Sequence, residues 1–378
     1  MATYRAAVIG LGRMGSTYDD EQTYGGMSFL PYCHAPAYHS SPLVELVAGT
    51  DPHDEQRDIF GERWGISSDH MYRDHREMLA NEKLDIVSVT TTAKVRASIV
   101  QDVARAGVKG IWAEKPIAFS LAEADAMVRV CRENGVALAI NTARRWSPLY
   151  TEARRMIEEG ELGEIYQVTG YGRCGLSHNG SHLIDNIRYL AGGEVEWVFG
   201  EMESDEAAAG DDDLMGNGYL AFDNGVRGYI RAMPTGAADR EIDVIGEKGR
   251  IRCHESPLEF EITRVMHDPT PDARPYGFRS RRPLLVKHPM HWPASIPGTG
   301  LTIVGDIVNA IETGGKPKAS GDDGLAALEI AIALRESHRR GGVKITLPLP
   351  DRALLIRSTE TLLGDEPARV RRQMQAVG

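Results

Sequence analysis

Short apolar runs alternate with longer amphipathic stretches over the first 141 positions. Residues 6–9, 44–49, 86–90, 111–113 and 136–140 are the apolar runs and read as buried strands. Residues 95–106 and 121–132 carry apolar side chains at helical spacing and stop at Gly107 and at Asn134-Gly135, and 52–60 reads as the start of a helix. This alternation predicts parallel strands joined by right-handed crossovers. Beyond Asn141 the pattern changes. Residues 148–159 and 182–190 are helical, 165–173 alternate as a strand, and 195–262 break into short strands at Asn224-Gly225 and Gly246-Glu247-Lys248-Gly249, which predicts an antiparallel sheet. The stretch 268–300 reads as a long loop rich in Pro, Arg and His, 302–313 and 325–335 as helices, and 343–347 as a last strand. The expected organisation is a dinucleotide-binding unit over 1–141, a second α/β unit over 142–350, and a helical tail over 351–378.

The first apolar run leads straight into Gly10-Leu11-Gly12-Arg13-Met14-Gly15. Strand, glycine turn and presumed helix form the setting in which G-x-G-x-x-G points to a dinucleotide. Gly10 permits the tight turn, Gly12 lets backbone approach a pyrophosphate, and Gly15 lets helix and strand pack closely, with Arg13 and Met14 opening the helix. Asp51 ends the second strand, where a carboxylate meets the hydroxyls of the adenosine ribose and repels a 2′-phosphate, so NAD is expected in preference to NADP. Arg57 lies too far along its helix to be an obvious phosphate clamp. Asp51 also comes later than the usual spacing of about 20 residues. The excess is residues 16–33, which read as an insertion near the ligand-binding edge of the sheet, either a lid or a plain surface excursion.

Composition narrows the classes. A net charge of −11 disfavours nucleic acid and anionic membranes as partners, and no apolar run approaches a bilayer span. The beginning of the chain carries no pattern of a secretory signal, and Cys33, Cys131, Cys174 and Cys253 are scattered, as suits a cytoplasmic protein.

Glu114-Lys115-Pro116 follows a strand on the predicted ligand edge, where a lysine can hydrogen-bond a hydroxyl and help move its proton. His182 has the side-chain type suited to proton traffic near neutrality, and Asp185 shares its helix face. With the glycine turn, His34-Ala35-Pro36-Ala37-Tyr38, Asp51, Arg144-Arg145, Gly160-Glu161-Leu162-Gly163 and Ser320-Gly321-Asp322-Asp323-Gly324, these motifs run in one order over nearly the whole chain. In that order the chain resembles the glucose–fructose oxidoreductase/inositol dehydrogenase (Gfo/Idh/MocA) family. The resemblance implies an N-terminal Rossmann domain, a C-terminal α/β domain with a large open, mostly antiparallel sheet, and association as a homodimer or homotetramer through that sheet. It also implies NAD(P)-dependent oxidation or reduction of a sugar, cyclitol or related polyol, with Lys115 and His182 as the acid–base pair and Asp185 in support.

The expected cofactor contacts are Gly10, Gly12, Arg13, Met14, Gly15, Asp51, Thr90, Thr91, Thr92, Glu114, Lys115, Asn141 and Arg144. The expected substrate contacts are Lys115, Arg145, His178, His182 and Asp185. The chain departs from the family pattern twice. His178 stands where many members have an aspartate, and Thr90-Thr91-Thr92-Ala93-Lys94-Val95-Arg96 replaces a Thr-Pro followed by a histidine. The spacing of His178, His182 and Asp185 also fits zinc, but Gly180 interrupts a continuous helix, so no metal is expected. Asp211-Asp212-Asp213 reads as a solvated turn, and Arg279, Arg281 and Arg282 as a subunit contact or surface cluster. The alternatives to a dehydrogenase are an NAD-retaining glycoside hydrolase or lyase with a transient keto intermediate, and a non-catalytic NAD-binding regulator.

Overall fold

The structure is a computed structural model that describes residues 3–22, 29–235, 240–255, 258–266, 284–288 and 295–358. Its first sheet contains β1 (Tyr4–Ile9), β2 (Val44–Thr50), β3 (Met71–Tyr72), β4 (Ile86–Val89), β5 (Gly110–Ala113) and β6 (Ala137–Ile140). The strands are all parallel, in the order β3-β2-β1-β4-β5-β6. The order reverses between β1 and β4, and in such sheets ligands bind beyond the strand C-termini at that point. Backbone hydrogen bonds tie the residues just past the strands into a row along this edge. Gly10 N–H donates to Thr50 O (2.8 Å), Thr90 to Ile9 O (2.9 Å), Glu114 to Val89 O (3.0 Å) and Asn141 to Ala113 O (2.8 Å).

Connecting helices are α1 (His34–Ser40), α2 (Asp54–Trp64), α3 (His75–Asn81), α4 (Ala93–Arg105) and α5 (Leu121–Glu133). The α-helical turn expected directly after the glycine turn, ahead of the insertion, is absent. A π-helical turn (Arg13–Thr17) and a 3₁₀ turn (Tyr18–Glu21) take its place, and α1 follows the insertion. Both Asp19 carboxylate oxygens accept the N–H groups of Tyr32 and Cys33 (3.0 and 2.9 Å), so the inserted segment is pinned at the start of α1.

The second sheet contains β7 (Ile165–Arg173), β8 (Val195–Met202), β9 (Gly216–Phe222), β10 (Arg227–Met233), β11 (Arg240–Gly246), β12 (Gly249–Glu255), β13 (Leu258–Met266), β14 (Leu284–His288) and β15 (Ile345–Thr346). Its order is β14-β13-β12-β11-β7-β10-β9-β8-β15, antiparallel except for the β7–β10 pair. Five more helices complete the fold: α6 (Pro148–Glu158), α7 (Gly180–Ala191), α8 (Asp205–Ala209), α9 (Thr299–Thr313) and α10 (Gly321–Arg339). α7 and α10 pack against this sheet, where Leu183, Ile187 and Leu334 join the buried core.

Three expectations are corrected. α9, expected within the unit 142–350, packs on the first sheet, since Ile303, Val304 and Ile307 share a core with Val8, Ile86 and Trp112. The presumed loop 268–300 contains β14, held by antiparallel pairing to β13, and runs into the start of α9; 268–283, with Arg279, Arg281 and Arg282, and 289–294 lie outside the described residues. The presumed helical tail is extended over 351–358, after Pro348 and Pro350, and bridges Ser120 through Leu355 and Asp212 through Arg357; residues 359–378 lie outside the described residues.

Candidate active site

A cleft of about 340 Å³ opens at the C-terminal edge of the first sheet. Residues from three sources line it: Arg13 and Met14 of the glycine turn, Glu114, Lys115 and Asn141 past β5 and β6, and His178, Asn179 and His182 at the start of α7. Arg144 and Arg240 complete one wall, and Tyr18 and Tyr32, the two ends of the insertion, reach it as a tilted ring pair 5.9 Å apart.

The glycine turn fits a dinucleotide. A Cβ on Gly12 would meet nothing within 4 Å, whereas one on Gly15 would lie 2.2 Å from the carbonyl oxygen of Gly10. The turn thus leaves open space at Gly12, where a pyrophosphate would rest, and permits only glycine at its third position. Thr90 Oγ1 donates to the Gly10 carbonyl and buttresses the turn. Thr91 Oγ1 is buried without a partner among the described residues, and Thr92 caps α4 without a side-chain hydrogen bond. None of the three threonines lines the cleft. Asp51 is buried, accepting the N–H groups of Leu11 and His53 at 3.0 Å each. Arg57, which its spacing set apart, curls back to donate to the Asp51 carbonyl at 2.6 Å.

Glu114 is fully buried and engaged on both sides. Asn141 Nδ2 donates to its Oε1 at 2.6 Å, and His34 Nε2 lies 3.2 Å from the same oxygen. Burial alone would raise this carboxyl, but hydrogen bonding and charge from His34, then Lys115 and Asn141, bring it down to about 2. His34 stacks on Trp112 with ring centroids 3.7 Å apart, and its Nδ1 lies 2.8 Å from Ser88 Oγ. Arg96 is buried and donates to the carbonyls of Pro116 and Thr91, clasping the Lys115 loop to the threonine loop.

Lys115 Nζ donates to His178 O and to Asn179 Oδ1, both at 3.3 Å, which ties the amine to the beginning of α7. His182 is buried, and its Nδ1 has no hydrogen-bond partner among the described residues. Burial first, then the charges of Arg144, Lys115 and Arg240, hold its pKa well below the usual imidazole value, so the ring is neutral. His178 is pressed down to about 3 by burial and by Lys115.

Two expected substrate contacts are corrected. Arg145 and Asp185 do not line the cleft; they form a buried bidentate pair at 2.8 and 2.7 Å, and Arg145 also reaches Asp323 at 3.0 Å. Asp185 lies one helical turn from His182 but is committed to the guanidinium of Arg145, where an unpaired buried charge would otherwise be costly. With Asp185 so held, and His178 ahead of the start of α7, the zinc spacing does not converge. Among the described residues no group of three His, Cys, Asp or Glu is placed to hold a metal ion.

Sequence reasoning missed several residues. Asp213, read as solvated, is mostly buried and accepts the N–H groups of Ser177 and His178 at 2.7 and 2.8 Å, which fixes the loop that meets Lys115. Asn179 had a legible signal, an asparagine just ahead of a helix. Arg240 had none, because its position beside Arg144 arises from the pairing of β11 with β12, where Glu255 binds both arginines.

Known proteins resemble the chain over most of its length. Residues 24–142 match the family described as "Oxidoreductase family, NAD-binding Rossmann fold", and residues 154–347 match "Oxidoreductase family, C-terminal alpha/beta domain". The glycine turn precedes the first matched stretch. The chain is 28% identical over 343 residues to D-apiose dehydrogenase of Paraburkholderia graminis, covering 84% of this chain and 87% of that protein. It is 29% identical over 366 residues to scyllo-inositol 2-dehydrogenase (NAD(+)) of Bacillus subtilis, covering 89% and 94%. In fold it is similar to an inositol dehydrogenase homolog from Azotobacter vinelandii, crystallised with NADH and myo-inositol, with a TM-score of 0.71 at 18% identity over 91% of this chain and 97% of that one.

Proposed function

The chain belongs to the Gfo/Idh/MocA oxidoreductase family, and from that premise we propose that it transfers hydride between NAD and a secondary hydroxyl or ketone of a sugar, cyclitol or related polyol. The observation that carries this reading is the meeting, in one cleft, of the glycine turn with a tethered amine and a neutral imidazole. Gly10, Gly12 and Gly15 with Arg13 and Met14 would hold the pyrophosphate, Asp51 the adenosine ribose, and Asn141 with Lys115 the nicotinamide end. Asp51 favours NAD over NADP because its carboxylate repels a 2′-phosphate. When bound, NAD supplies the hydride acceptor.

The chain's own groups handle the proton. His182 lines the cleft with a neutral ring whose Nδ1 has no hydrogen-bond partner among the described residues, and that ring can accept the proton of a carbinol. Lys115, anchored by His178 O and Asn179 Oδ1, donates a hydrogen bond to the same carbinol oxygen and stabilises the charge that develops there. Ionised Glu114, beside Lys115 in sequence and bonded to Asn141, holds both groups in place. Arg96 and Asp213 fix the two loops that carry them.

A panel of sugars and cyclitols with NAD and NADP, followed at the nicotinamide absorbance, tests the reading. Oxidation with NAD preferred, and loss of at least about 10²-fold in Lys115→Ala, is the expected result. Turnover without net change in nicotinamide absorbance would point instead to the cofactor-retaining hydrolase or lyase.

The division of labour places residues 1–141 with the cofactor and 142–350 with the substrate and with assembly, apart from α9. One face of the second sheet carries Trp197, Phe199, Tyr219 and Tyr229 as a ladder of ring contacts 5.2 to 5.4 Å apart, with Phe199 40% and Tyr229 39% exposed. An exposed aromatic patch of this kind marks an interface, and it supports a homodimer or homotetramer through this sheet. The four cysteines are buried and none is in a disulfide, which suits a reducing cytoplasm.

A further inference from the structure

We propose that the substrate is an anion: a polyhydroxy carboxylate such as a uronate or aldonate, with its carboxylate taken by Arg144 and Arg240 and its carbinol presented to Lys115 and His182. This rests on the dehydrogenase reading and adds the substrate's charge to it.

The charge of the cleft wall comes first. Lys115, Arg144 and Arg240 line the cleft, and Glu114 is the only carboxylate among its described lining residues. Arg13 also lines it but is spent on Glu21 at 2.6 to 2.9 Å. Glu255 lies behind the wall and balances one of the two remaining arginines. Counting Lys115, Arg144 and Arg240 against Glu114 and Glu255 leaves one positive charge in excess. The whole chain carries −11, so this excess is local placement and not a product of composition.

The hydrogen-bond inventory points the same way. Glu255 accepts from Arg144 Nε and Nη2 (2.9 and 2.8 Å), from Arg240 Nε (2.7 Å) and from Tyr150 (3.1 Å). Arg144 Nη1 and both Nη groups of Arg240 make no hydrogen bond to a described residue, although the two side chains are only 9% and 21% exposed. Two forked cations share one carboxylate here, and a guanidinium is the group that pairs bidentately with a second carboxylate. Ser147, Thr299 and His182 also line the cleft, and Ser147 Oγ, Thr299 Oγ1 and His182 Nδ1 are buried without a hydrogen-bond partner among the described residues. These are partners for hydroxyl groups, so one ligand that carries both functions satisfies the site. A neutral hydroxyl also accepts from a guanidinium, but a carboxylate makes the stronger, charge-assisted and bidentate pair.

The test uses D-glucuronate, D-galacturonate and D-gluconate, each against its primary amide, titrated calorimetrically into the full-length protein with NADH and assayed for turnover with NAD. The wild type is expected to prefer each acid by about tenfold or more. In Arg240→Gln that preference collapses toward unity, and Arg240→Lys recovers part of it. Equal affinity for acids and amides in the wild type overturns the proposal. So does an Arg240→Gln variant that weakens both members of a pair equally, or one that weakens only NADH, which would assign these cations to the cofactor. An acid preference in binding without turnover of any pair would sink the dehydrogenase reading while supporting the carboxylate subsite.

Discussion

Glu255 accepts hydrogen bonds on both oxygens from two arginines, and the pair it makes with Arg144 is almost wholly buried. Burial would raise its carboxyl, but the guanidiniums of Arg144 and Arg240 bring it down from 4.5 to about 2. Because the folded value lies below the unfolded one, the stabilisation is complete above about pH 4.5 and is lost as pH falls toward 2. Replacing Glu255 by Gln leaves two guanidiniums unbalanced and should cost about 3–5 kcal/mol at pH 7. In urea denaturation the gap from wild type should narrow as pH drops below 4.5; a gap independent of pH would contradict the assignment. Asp185→Asn should also destabilise, by about 3–5 kcal/mol, because it strips Arg145 of its buried partner. NADH affinity and turnover per folded molecule should stay near those of the wild type. A loss of turnover without loss of thermal stability would return Asp185 to the chemistry.

At the scale of elements, the glycine turn and the strand ends do the positioning. Gly15→Ala places a methyl group against the Gly10 carbonyl at a spacing of 2.2 Å, so the turn must open. NADH affinity measured by fluorescence titration should fall by at least about tenfold, whereas unchanged affinity would show that the turn does not hold the dinucleotide. The parallel strands were legible because each is a short apolar run that ends where Gly10, Asp51, Thr90, Glu114 and Asn141 begin. β3 and α3 were not, being two residues long and polar respectively, and held mainly by neighbours. The helix expected after Gly15 gave way to two short turns because the insertion, pinned by Asp19, redirects the chain. His182 and Lys115 could be chosen from residue chemistry and order. Asp185 was misplaced and Arg240 missed because both depend on which charged side chain across the fold reaches them, and spacing along the chain carries no record of that.

The whole molecule joins two sheets through shared elements, since α9 returns to the first sheet and α10 packs against α5, α7 and β8. The extended segment after β15 ties back as well, with Arg352 paired to Asp125 at 2.7 Å and Leu121 N–H donating to Leu354 O at 3.1 Å. The cleft is therefore braced from both sides, and the aromatic face of the second sheet is the surface proposed for a second copy. Tyr219→Asp with Phe199→Asp should lower the mass found by light scattering to that of one chain, and an unchanged mass would place the interface elsewhere. The most direct test of the central claim is a crystal structure of the protein with NADH. The pyrophosphate is expected on the Gly10–Gly15 turn and the nicotinamide ring beside Lys115 Nζ and the His182 ring; a ring seated away from both groups would contradict this placement.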